Sequence, residues 1–183
     1  MRFALIGGVG VLIGLAGAGA SDACGRNEAV SSRIRSDVSQ FRAIVEEGCR
    51  RSLTFRRLAE FVDGSDGLVF IEPGRCSVSG VKACLLLTVH EAAGVRYLRI
   101  NVSMDVHQPD DELIALIGHE LQHAREVLEA RWVRSTRQAV LLFYPIGRTG
   151  SIRGFETDAA RHAGDSIARE LSSARAPRRH ASR

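Results

Sequence analysis

The sequence predicts a small α+β domain, and three observations carry that reading. Two stretches of helical periodicity come first, residues 68–102 then switch to strand-like patterns, and helical periodicity returns from residue 110 to residue 171. The strands are grouped, so the expected sheet is an antiparallel meander that leads into, and packs on, a long helix. No internal repeat is present.

Taken in order, Val30, Ile34, Val38, Phe41 and Val45 recur every three or four positions and predict an amphipathic helix over residues 27–47. A shorter helix covers 52–62, with Leu53, Leu58 and Phe61, and the turn residues Asp63-Gly64-Ser65-Asp66-Gly67 stop it. Residues 68–72 read as a short strand and Pro73-Gly74 as a turn. On the next strand, residues 81–90, Val81, Ala83, Leu85, Leu87 and Val89 point one way. Residues 95–102 alternate, with Leu98, Ile100 and Val102 on one face and Tyr97, Arg99 and Asn101 on the other. The long helix starts near Pro109 or Asp110, carries Asp111 and Glu112 in its first turn, and runs to Arg131. Leu113, Leu116, Ile117 and Leu121 anchor it in the core. A further helix covers 136–143 and ends near Pro145, and residues 147–154 form a glycine-rich loop. A last helix opens around Phe155 with Glu156 at its beginning and continues past Ile167 to Leu171.

Arg2, an apolar run from Phe3 to Ala18 and the small-x-small pattern Ala18-Gly19-Ala20 read as a signal peptide over residues 1–20. Removing it takes the formal charge from +4 to +3, since Arg2 leaves, and much of that excess sits in a basic, solvated tail over residues 175–183. Residues 21–174 are enough for one domain with its own core. The near-neutral body lacks the basic stripe with aromatics that nucleic acid requires, so no nucleic-acid partner is expected. Arg131, Arg134, Arg137 and Arg148 read as a solvated basic face, and Trp132 as a core or interface residue. In an exported chain, Cys24, Cys49, Cys76 and Cys84 read as two disulfides. Cys76 with Cys84 would close a short hairpin and Cys24 with Cys49 would tie the mature N-terminus to the first helix, one of three formally possible pairings, with a four-cysteine metal site as the alternative despite its lack of paired CxxC spacing. The expected location is the periplasm or the medium of a bacterium, with no stable membrane insertion once the leader is removed.

The chemistry is concentrated in His119-Glu120-Leu121-Gln122-His123. At 3.6 residues per turn, positions four apart lie on nearly the same helix face, so His119 and His123 can grip one metal ion. Glu120 then stands beside the ion, where a carboxylate can take a proton from water. Catalytic zinc takes three protein ligands, so a third is required. Glu126 and Glu129 lie on the motif helix itself, where a tetrahedral site is hard to close. Glu156 is favoured because it opens a second helix after glycine-rich chain, with His162 and Asp158 as the alternatives.

The motif with a later glutamate resembles the zincin metallopeptidases of the gluzincin type, over less than a quarter of the chain. That resemblance implies one Zn²⁺ held by His119, His123 and Glu156, Glu120 as general base, and an edge strand that lies along a peptide or protein substrate. Val95 to Val102 is the candidate strand. The family commonly carries an aspartate four residues after the glutamate ligand; here that position is Ala160, with Asp158 or Asp165 as substitutes. Tyr144, Arg153 and His162 are candidate oxyanion stabilisers. The alternative is a catalytically inactive zincin-like domain that acts as an envelope binding or structural module, or a disulfide-stapled interaction domain without metal. His90 and His107 read as strand-edge and turn residues.

Overall fold

The structure, a computed structural model, describes residues 33–104, 110–146 and 155–175. The expected leader, Cys24, His107, Pro109, the loop with Arg148 and Arg153, and tail residues 176–183 lie outside the described residues. In chain order the elements are β1 (Ile34–Arg35), α1 (Ser39–Arg51), α2 (Leu53–Asp63), β2 (Gly67–Pro73), β3 (Ala83–Ala92), β4 (Val95–Val102), α3 (Asp110–Glu129), α4 (Thr136–Ile146) and α5 (Asp158–Arg175). The α+β class holds.

The sheet differs from the expected meander. Its order is β1-β2-β4-β3, with β1 parallel to β2, β2 parallel to β4, and only β3 antiparallel to β4. β3 and β4 are joined by Ala93 and Gly94, whose φ angles of 51° and 75° make the two-residue left-handed turn that suits a twisted hairpin. The connection from Gly74 to Lys82 is long enough to carry β3 past β4 and leave β4 beside β2. β4 is therefore an inner strand, paired on both sides, and the edges of the sheet are β1 and β3 instead.

The first expected helix also begins later. Ile34 and Arg35 pair in parallel with Val69 and Phe70, and the Arg33 N–H donates to Asp63 Oδ1 at 2.6 Å, so this stretch is strand before it is helix. The following helix, α1, buries Phe41 and Ile44 and runs on to Arg51. α2 starts at a side-chain cap: Ser52 Oγ accepts the Phe55 N–H at 3.0 Å. α4 continues through Pro145, whose missing N–H falls in the last turn.

Motif helix α3 lies against α1, α2, α5, β3 and β4. Leu113, Ile114, Ile117, Leu121, Ala124, Val127 and Leu128 are all buried there. Gly118 lets α5 come close, because a Cβ at that position would stand 2.2 Å from Ile167 Cδ1 and 3.2 Å from Phe55 Cδ2. Arg96 shares the inward phase of Leu98 and Ile100 and is only 1% exposed. Its guanidinium donates to the carbonyls of Val127, Leu128, Ala130 and Val133 and meets the Asp66 carboxylate, so a strand residue caps the end of α3. Among the described residues no helix is long and apolar enough to cross a membrane.

Candidate metal centre

His119, Glu120 and His123 project from the middle of α3, which packs against α1, α2, α5, β3 and β4. Glu156 does not open α5 as expected. It precedes the helix in the turn that Thr157 caps, with the Ala160 N–H donating to Thr157 Oγ1 at 3.1 Å. The close approach of α5 to α3 sets this turn over the histidine pair.

Donor atoms of His119, His123 and Glu156 all lie within 4.8 Å of one another, and the group could hold a metal ion. Glu156 Oε1 is 3.4 Å from His119 Nε2 and 4.0 Å from His123 Nε2. Ligands at about 2.0–2.1 Å from a tetrahedral ion stand roughly 3.4 Å apart, so the three groups need only a small closure around it. The strongest test of fit is that Glu156 Oε1 is buried and has no hydrogen-bond partner among the described residues. A buried carboxylate oxygen without a donor is costly, and a cation between the two Nε2 atoms would remove that cost.

The electrostatics hold His119 neutral and make Glu120, behind it, a basic carboxylate. Burial, with His123 adjacent, lowers His119 from its ordinary 6.5 to about 4, so its Nε2 lone pair is available at neutral pH. Burial pulls His123 the same way, but the hydrogen bond its Nδ1–H donates to Glu126 and the charges of the Glu120, Glu126 and Glu156 carboxylates prevail and raise it. Burial also raises Glu156. Glu120, only 6% exposed, is pushed by burial from 4.5 to about 7. Its Oε2 accepts the Leu85 N–H of β3 at 2.6 Å, and its Oε1 lies 4.0 Å from His119 Nε2.

A residue set aside as a ligand turns out to organise the centre. Glu126 Oε2 stands 3.0 Å from His123 Nδ1, and Glu126 Oε1 accepts from Thr157 Oγ1 at 2.7 Å. With the proton on Nδ1, His123 presents Nε2 to Glu156, and the same carboxylate steadies the turn that carries Glu156. The three-residue spacing from His123 to Glu126 was visible in the sequence as a same-face pair; the link to Thr157 depended on α5 and was not.

The other sequence candidates separate. Ala160 is buried and leaves no carboxylate there. Asp158 is exposed and pairs with Arg161, while Asp165 lines the cleft and only partly offsets, through its charge, the lowering of His119. His162 is exposed on α5 and outside the cluster, and Tyr144 is 69% exposed. His90 is exposed on β3. A cleft of about 1030 Å³ opens over the centre, walled by the start of β3, the 76–82 loop, α3, the Phe143 side of α4 and α5. A disulfide between Cys76 and Cys84, with a Cα separation of 5.9 Å, staples that wall as expected. The His123 ring meets Phe143 edge-on at 5.6 Å between centroids, an apolar backing the sequence reading missed.

No family model, curated protein or solved structure matches this chain.

Proposed function

We propose that the chain is an exported, zinc-dependent metallopeptidase that hydrolyses peptide bonds, with His119, His123 and Glu156 holding the ion and Glu120 as general base. The observation that carries this reading is the buried, partnerless Glu156 Oε1 aimed between two imidazole Nε2 atoms, with a buried glutamate next to them. Two histidines and one glutamate are a donor set of catalytic zinc and leave a fourth position open. Zinc there would supply Lewis acidity, polarising a carbonyl and lowering the pKa of water toward about 7.

The chain's own residues supply the rest. Leu85 N–H holds Glu120 Oε2, so Oε1 is the atom that takes a proton from the attacking water and returns it to the leaving amine. Glu126 keeps the His123 ring in one tautomer and orientation. The outer edge of β3, beside the cleft, offers backbone donors and acceptors to an extended peptide, in the place the sequence reading gave to β4. The Cys76–Cys84 disulfide suits an oxidising compartment and supports export.

A second reading keeps the metal and drops the chemistry. The short Leu85 to Glu120 bond ties that glutamate to the sheet, as a structural cross-link would. Cleavage of a peptide library by wild type and Glu120→Gln decides between them. Catalysis requires the variant to keep its zinc and lose at least about 100-fold in rate. Zinc with no turnover in either protein favours the structural module, and equal turnover in both removes Glu120 from the chemistry.

A further inference from the structure

Helix α4 is apolar on both of its sides. Inward it buries Ala139 and Phe143, and Phe143 backs the cleft. Outward, Arg137, Val140, Leu141 and Tyr144 fall at helical spacing on one face, and the three apolar members are 38%, 55% and 69% exposed. A solvated helix ordinarily carries charged side chains on such a face. Eight large hydrophobics are exposed among the described residues, and five of them lie between Trp132 and Ile146, so the exposure is concentrated rather than scattered.

Charge in the same stretch has one sign. Residues 130–146 contain Arg131, Arg134 and Arg137 and no acidic residue. Arg134 pairs with Glu91, whereas Arg131 and Arg137 are exposed and make no ion pair among the described residues. Trp132, 51% exposed, is the only tryptophan of the chain. An apolar groove in a partner would be satisfied by the aliphatic stripe alone. Exposed tryptophan, tyrosine and aliphatic side chains together with unpaired arginines match an interface that is apolar at depth and anionic at its surface.

We propose that the outer face of α4, with Trp132 before it, docks the protein peripherally on an anionic phospholipid surface. The docked helix is also a wall of the cleft. This inference is independent of the peptidase reading, since it rests on no residue of the metal centre.

The test uses the full chain and vesicles of phosphatidylcholine with or without phosphatidylglycerol, read by Trp132 emission and by co-sedimentation. Anionic vesicles should shift the emission to the blue, neutral vesicles much less, and high salt should reverse the shift. The double variant Leu141→Glu, Tyr144→Glu should bind about tenfold more weakly or worse. Arg137→Gln should lose about fivefold, the equivalent of roughly 1 kcal/mol per arginine at such a surface. The N-terminal apolar run is common to all these proteins, so the differences isolate α4, and far-UV circular dichroism confirms that each variant is folded. An emission shift on anionic vesicles that is absent or unchanged in the variants overturns the proposal. So does a lipid-free, concentration-dependent dimer that buries Trp132, which would make a second copy the occupant.

Discussion

Arg96→Met tests how the motif helix is held in place. Arg96 Nη1 donates to the carbonyls of Val127 at 2.9 Å, Ala130 at 3.1 Å and Val133 at 3.1 Å, and Nη2 donates to Leu128 at 2.7 Å. Nε and Nη2 also meet Asp66. The last carbonyls of a helix have no partner within it, so this guanidinium is both the cap of α3 and a cation at the negative end of its dipole. Methionine fills much of the volume and donates nothing. The Ala130 carbonyl keeps the Val133 N–H, but each buried carbonyl left bare costs about 1–3 kcal/mol, and the relief from no longer burying a charge offsets part of the sum. Removing one partner of such a network costs about 3–5 kcal/mol net, a large share of the 5–15 kcal/mol typical of a domain. The corresponding fall in Tm is on the order of 10–20 °C. Urea unfolding of chelator-treated protein, followed by far-UV circular dichroism, measures it. Arg96→Lys keeps the charge on one nitrogen and should recover less than half of the loss. A loss under about 1 kcal/mol at unchanged m-value would refute the capping argument.

Three further outcomes are expected. Glu126→Ala removes the partner of His123 Nδ1 and the acceptor of Thr157 Oγ1, and should weaken zinc binding by about 10–100-fold in a competition titration against a chromogenic chelator; unchanged affinity would mean that Glu126 does not orient the ring. Metal binding should weaken as pH drops below the raised pKa of His123, about tenfold per pH unit while Glu156 stays ionised, because His119 at about 4 stays neutral there; affinity that does not change with pH across that range would contradict the assignment. In chelator-treated protein, Glu120→Gln should add up to about 3 kcal/mol of stability at pH 8 and almost none at pH 4. The sign follows from a folded carboxyl pKa of about 7 against an ordinary 4.5: the protonated form is favoured in the fold, so stability is complete below 4.5 and is lost as pH rises through 7. Equal unfolding midpoints of variant and wild type at pH 8 would show that Glu120 is not desolvated.

What the sequence made legible was whatever it encodes locally. The alternation at 95–102 matches β4 residue for residue, and the α2 and α3 patterns lie within one or two residues of the helices observed. Ile34 was lost to the first helix because it continued an apolar three-and-four spacing, and a two-residue strand has no period of its own to compete. Sheet order was not legible, since the parallel pairing of β2 with β4 joins segments separated by all of β3, and no local pattern reports it. The phase of β4 placed Arg96 inward, but only the position of the end of α3 explains how a buried guanidinium is satisfied. At the centre, His119, Glu120 and His123 followed from helix geometry. The turn that carries Glu156 depended on how closely α5 approaches at Gly118, a packing distance that composition does not carry.

Zinc content of the purified protein, measured by elemental mass spectrometry beside His123→Ala and Glu156→Ala, tests whether these side chains hold a metal. One zinc ion per chain is expected in the wild type and its loss in both variants, with each variant still folded by circular dichroism. No zinc in the wild type after refolding with the metal, or full retention in Glu156→Ala, would contradict it.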